Sequence, residues 1–209
     1  MTMGNEEELF SSMALPVVVR PILDKMEKKN AVAANALKSG FAKVESAHPG
    51  FTYQLIKSIL KKAEVDNQVD MCECLLRIEG SNNSNEFLVD RVEEPIQLLN
   101  ERSTNLKKIL SRIPDEIYDR KKFLETIKEI ASAIRLLLDS VNSIFSYISE
   151  QYRQVLDIRK KEFVKYSRNF SNTLKDFFRD SEKQNVFLSA NHLVNQSNLL
   201  MRTIKEALV

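Results

Sequence analysis

The sequence predicts an all-α protein: a short-helix N-terminal part followed by an antiparallel four-helix bundle. Three observations carry this. The 209 residues include only four Gly and five Pro, where average usage gives roughly 14 and 10. Their distribution is uneven, with no Gly after Gly80 and no Pro after Pro114. Residues 115–209 therefore lack both of the usual helix breakers, and apolar residues recur there at steps of four and three. Turn-rich β folds need many such breakers, and nucleotide-binding folds need a closely spaced Gly pair that is absent here.

The chain begins with an acidic stretch, and residues 1–15 are expected to be poorly ordered. Pro16 and Pro21 bracket the start of a first helix, which continues through Ile22, Leu23 and Met26. A second carries Ala33, Ala34, Leu37, Phe41 and Val44. His48-Pro49-Gly50 is a turn. A third runs through Phe51, Leu55, Ile56, Ile59 and Leu60 to Lys61-Lys62, cations that suit a helix C-terminus. A fourth holds Val69, Cys72, Leu75, Leu76 and Ile78. These place a helical domain over 16–80 and a linker over 81–95, opened by the polar run after Gly80. Short helices bury little surface alone, so residues 16–80 are expected to pair with a partner or with themselves.

The bundle spans 96–209. Ile96, Leu99, Leu106, Leu110 and Ile113 make its first helix, and Pro114-Asp115-Glu116 opens the next segment. Phe123, Ile127, Ile130, Ile134, Leu137, Val141, Ile144 and Ile148 form an unbroken apolar seam over more than three heptads. Leu156, Phe163, Tyr166, Phe170, Leu174 and Phe177 define the third helix. Val186, Ala190, Leu193, Ser197, Leu200 and Ile204 define the fourth. Short polar connections between them fit antiparallel neighbours.

The two middle helices carry a second stripe, one residue beyond the seam. It reads Leu124, Lys128, Ala131, Arg135, Leu138 on one and Val164, Arg168, Ser171, Lys175, Phe178 on the other. Both run apolar, basic, small, basic, apolar along one helix face. On antiparallel neighbours they would frame a shallow trough with four positive charges, suited to an amphipathic helix with acidic flanks. The plainer alternative is a solvated face on which Lys and Arg cover the edge of the core.

Bulk properties narrow the chemistry. Net charge is +2, which does not indicate nucleic-acid binding. Residues 1–90 sum to −3 and residues 91–209 to +5, so an acidic partner is expected on the second half. Cys72 and Cys74, with His48 and His192, offer neither a disulfide framework nor a complete zinc site. No zincin, nucleophile-elbow, Walker or kinase signature occurs. The lysines at 107, 108, 160, 161 and 165 also suit a peripheral membrane module that binds phosphoinositides. A homodimeric structural protein is a third reading.

The segments Lys107-Lys-Ile-Leu-Ser-Arg-Ile-Pro-Asp-Glu-Ile, Phe123-Leu-Glu-Thr-Ile-Lys-Glu-Ile-Ala-Ser-Ala-Ile, Lys160-Lys-Glu-Phe-Val-Lys-Tyr-Ser and Asn185-Val-Phe-Leu-Ser-Ala-Asn closely resemble the programmed cell death protein 10 family, that of the third cerebral cavernous malformation protein. The resemblance runs from about residue 16 to the end and is poor over 79–90. It implies a non-enzymatic adaptor without a cofactor. Its fold would be a dimerisation domain followed by a bundle like the focal adhesion targeting domain. The first domain would pair with itself or with tails of germinal centre kinase III family kinases, within the striatin-interacting phosphatase and kinase complex. Matching interface positions are Leu37, Gly40, Ile59 and Leu60, with Gly40 where the family usually has Ala. The bundle would bind leucine-aspartate helices, as in paxillin and malcavernin, through Lys128, Ala131, Arg135, Arg168, Ser171 and Lys175. Arg135 and Arg168 stand where the family has lysines, which keeps charge but changes donor geometry. The implied location is cytoplasmic, with peripheral association to Golgi and plasma membrane.

Overall fold

The computed structural model describes residues 3–81 and 86–208, and among these there is no strand. The helices are α1 (Met3–Met13), α2 (Arg20–Glu27), α3 (Ala31–Ala47), α4 (Phe51–Lys62), α5 (Met71–Ser81), α6 (Glu94–Leu110), α7 (Ile113–Glu116), α8 (Arg120–Ser143), α9 (Glu150–Asp180) and α10 (Lys183–Leu208). A π-helical turn, Ala14–Val19, joins α1 to α2. Pro16 lies inside it. Proline has no amide hydrogen for the i−4 carbonyl and its ring crowds that turn, so the widened turn lets the chain stay helical past it. Pro21 then sits in the first turn of α2, where no donor is missed.

The start of the chain differs from the expected disorder. Met3–Met13 is helical, and Leu9, Phe10 and Met13 are buried where α1 packs against α4 and α10. Phe10 meets the Tyr53 ring of α4 at 5.8 Å between centroids. Three apolar residues at steps of one and three supply enough buried area to fix an otherwise acidic helix.

Gly50 closes the α3–α4 turn with φ of 87°, a conformation open to glycine at little cost. It has no side chain to cap α4. Glu45, from the preceding helix, does so instead, accepting from the Gly50 amide at 2.6 Å and the Thr52 amide at 2.9 Å.

α6, α8, α9 and α10 form the bundle, with α9 on α10 and α6 on α8 as its principal pairs. The seam residues Phe123, Ile130, Leu137, Val141, Ile144 and Ile148 are buried, although the α-helix ends at Ser143 and a 3-10 turn, Ile144–Tyr147, carries the chain on. Ile113 falls in α7, past the end of α6. α10 is the most enclosed element, because α9, α6, α5 and α1 all rest on it.

α5 is attached chiefly to the bundle, with a smaller contact to the π-helical turn Ala14–Val19. It packs on α6 and α10 and buries Cys72, Leu75, Leu76 and Glu79. Glu79 pairs with Lys107 at 2.9 Å, with both side chains nearly out of solvent, and accepts from Asn198 at 3.2 Å. The segment expected as a linker is also pinned. Phe87 and Val89 are buried, and the Asn100 side chain bonds both the amide and the carbonyl of Val89 at 3.0 and 2.9 Å. Residues 82–85 lie outside the described residues.

Candidate functional site

Two surfaces are candidates for binding. The first lies on α8 and α9. Phe123, at the start of α8, meets Phe177 and Phe178, at the end of α9, at 5.6 and 6.0 Å between centroids. At the other end, Lys160 of α9 donates to Asn142 of α8 at 2.6 Å and stands over the Phe145 ring. These contacts make the helices antiparallel and set their register. Ala131 falls opposite Ser171, Lys128 opposite Lys175, and Arg135 opposite Arg168.

The floor between the stripes is low. Ala131 carries only a methyl, and the Ser171 hydroxyl turns back to donate to the Ser167 carbonyl at 3.0 Å. Leu124 and Phe178 are 41% and 43% exposed at one end, while Val164 and Leu138 are half-buried at the other. Lys128, Arg135, Arg168 and Lys175 are all exposed, and none makes an ion pair or a side-chain hydrogen bond among the described residues. Several cations elsewhere on the bundle are paired. Arg112 pairs with Glu116 and Glu129, Lys161 with Asp157, and Arg202 with Glu206. Four clustered positive charges that form no ion pair repel one another, and an acidic ligand would relieve that.

The second surface lies on α3 and α4. α3 has 17 residues, yet Ala34 is its only buried one. Leu37, Gly40, Phe41 and Val44 share one face by spacing. Leu37 is 43% exposed, and a Cβ at Gly40 would meet nothing within 4 Å. On α4, Ile59 is 57% exposed and Leu60 half-buried. The same helices and α2 expose Ile22, Val32 and Phe51, apolar residues that the interface positions taken from sequence did not include. Ile22 and Phe51 fall within the apolar spacing of their helices, and only burial shows that the core leaves them out. Uncovered apolar area of this kind marks an association surface.

Neither surface juxtaposes groups for catalysis. Among the described residues, no cluster of His, Cys, Asp and Glu could hold a metal, and no helix is long and apolar enough to cross a membrane. Burial pushes the Cys72 thiol up to about 12, so it stays protonated. His192 is buried against Tyr166, with rings stacked at 5.3 Å, and burial lowers its pKa.

Comparison with known proteins bears on the α3–α4 surface. The family model described as "Programmed cell death protein 10, dimerisation domain" matches residues 7–66. The model described as "Programmed cell death protein 10, C-terminal" matches residues 69–157. A programmed cell death protein 10 homolog of Caenorhabditis elegans is 34% identical over 214 residues, covering 99% of both chains. The chain belongs to the programmed cell death protein 10 family. The dimerisation match covers α3 and α4, so the uncovered apolar helices lie in a domain that serves association. It begins within α1, in keeping with the ordered packing of that helix. The C-terminal match begins ahead of α5, which agrees with the attachment of α5 to the bundle.

Proposed function

We propose that the protein is an adaptor with two docking faces. The α3–α4 face, with Leu37, Gly40, Ile59 and Leu60 near its centre, pairs either with a second copy or with the tail of a germinal centre kinase III family kinase. In the second case the kinase carries the protein into the striatin-interacting complex. The α8–α9 trough receives leucine-aspartate helices of the paxillin and malcavernin kind. The ligand's leucines lie over Ala131 and Ser171, and its carboxylates meet Lys128, Arg135, Arg168 and Lys175. Cytoplasmic residence with peripheral attachment at Golgi and plasma membrane follows from such partners.

Four exposed cations that form no ion pair among the described residues, set around a low floor, support the trough. A phosphoinositide surface is the competing reading. Of the lysines that motivate it, Lys107 is engaged by Glu79, Lys160 by Asn142 and Lys161 by Asp157, which favours the helix ligand. The test is titration of a leucine-aspartate peptide into wild type and Lys128→Asp/Lys175→Asp, with phosphoinositide vesicles as a parallel arm. The double variant is expected to lose at least about tenfold in affinity, about 1.4 kcal/mol. Residual binding should weaken with salt. Unchanged affinity in the folded variant, or vesicle binding in place of peptide binding, contradicts the reading.

A further inference from the structure

The turn between α7 and α8 holds a tyrosine that neither docking face uses. Of the five tyrosines, Tyr53 is buried, Tyr152 and Tyr166 are half-buried, and Tyr147 is 45% exposed. Tyr118 is 71% exposed and lies in the non-helical turn of residues 117–119. Its neighbours are acidic: Asp115 and Glu116 precede it and Asp119 follows. A tyrosine kinase must bring a short non-helical segment into its cleft, and a basic cleft selects acidic flanks by charge. Tyr147 lacks both features, since it closes a 3-10 turn and has no acidic residue within two positions on either side.

A cation already stands at the Tyr118 hydroxyl. Lys183, at the start of α10, donates to the Tyr118 hydroxyl oxygen at 2.7 Å and stands 5.2 Å from the ring centroid. It makes no ion pair among the described residues; the Tyr118 hydrogen bond, and then the nearby charges of Glu73 and Asp70, raise its pKa. Arg120, Lys121 and Lys122 follow the turn, and the Lys121 and Lys122 amides are already capped by Asp119 at 3.0 and 3.2 Å. A phosphate here would gain the Lys183 counter-charge, with the cationic side chains of Arg120 and Lys121 nearby in sequence to offset the acidic flanks.

We propose that Tyr118 is a phosphorylation site for an acid-directed tyrosine kinase, with Lys183 as its preplaced counter-cation. In the step, the Tyr118 hydroxyl oxygen bonds to the γ-phosphorus of ATP. The bond from that phosphorus to the β–γ bridging oxygen breaks, and ADP leaves with the electron pair. The phenol proton passes to the kinase's carboxylate base. The added charge of about −1.5 to −2 at neutral pH then ties the turn before α8 to the first turn of α10. This modification does not depend on what either docking face binds.

The test uses the full chain, ATP and a tyrosine kinase that accepts the random polymer of glutamate and tyrosine. Wild type and Tyr147→Phe are expected to take up about one phosphate per chain, and Tyr118→Phe at least about tenfold less. Equal uptake in Tyr118→Phe overturns the site. So does absence of uptake by the folded chain, whether or not a peptide of residues 111–125 is labelled. On the phosphorylated chain, phosphorus NMR against pH should show a higher second phosphate pKa in Lys183→Ala than in wild type. Coincident titration curves remove Lys183 from the proposal.

Discussion

At the residue scale, the strongest constraints are polar groups closed into the apolar core. Glu79 and Lys107 face each other at 2.9 Å with little solvent, and Asn198 bonds both of them. Removing one member strands a buried charge, which costs far more than an exposed ion pair contributes. Glu79→Ala should lower unfolding free energy by about 3 kcal/mol, whereas Glu79→Leu/Lys107→Met should cost clearly less. Urea denaturation of the three proteins measures both. His192 supplies a pH dependence. Burial holds its imidazole pKa below the usual 6.5, while Glu8 pulls weakly the other way. The unfolded chain therefore binds the proton more readily. Stability from this group is complete above pH 6.5 and is lost as pH falls below that value toward the folded pKa. Urea midpoints should fall between about pH 7 and about pH 5 in wild type and fall less in His192→Phe.

At the element scale, capping and packing decide where helices begin and what they cover. Asp119 accepts from the Lys121 and Lys122 amides at the start of α8. Asp119→Ala should cost about 1 kcal/mol. A matching drop in the thermal midpoint, without change in far-UV circular dichroism, checks this. The same scale separates what could be read from the sequence from what could not. The α8 seam was legible because a long strict repeat has only one helical reading. The two stripes were legible for the same reason, since they repeat one order on two helices. Their register was not, because it depends on Phe123 meeting Phe177 and Phe178 at one end and Lys160 meeting Asn142 at the other. The helical character of α5 was legible in Cys72, Leu75 and Leu76, but the surface it covers depends on distant Lys107, Asn191 and Asn198. α1 was missed because three apolar residues in an acidic stretch do not declare themselves. They matter only once α4 and α10 provide a surface.

At the scale of the whole molecule, one continuous core runs from Leu9 on α1 to Ile204 on α10. Bundle, α5 and α1 form a closed body, and rigidity there keeps the α8 and α9 stripes in register. α3 is the exception, with a single buried residue and an apolar face left to solvent. The scarcity of Gly and Pro after residue 114 belongs to the first part, while the short, punctuated helices before it belong to the second. The proposed adaptor role uses both: a fixed trough for one partner and an uncovered face for another. If the α3–α4 face serves association, the mass of the free protein by light scattering shows it. Wild type without partners should run as a dimer, twice the 24.1 kDa of the chain. Leu37→Asp/Ile59→Asp should give a folded monomer, since both side chains are already exposed within the single chain. A monomeric wild type at concentrations well above micromolar, or a double variant that remains dimeric, would contradict the account.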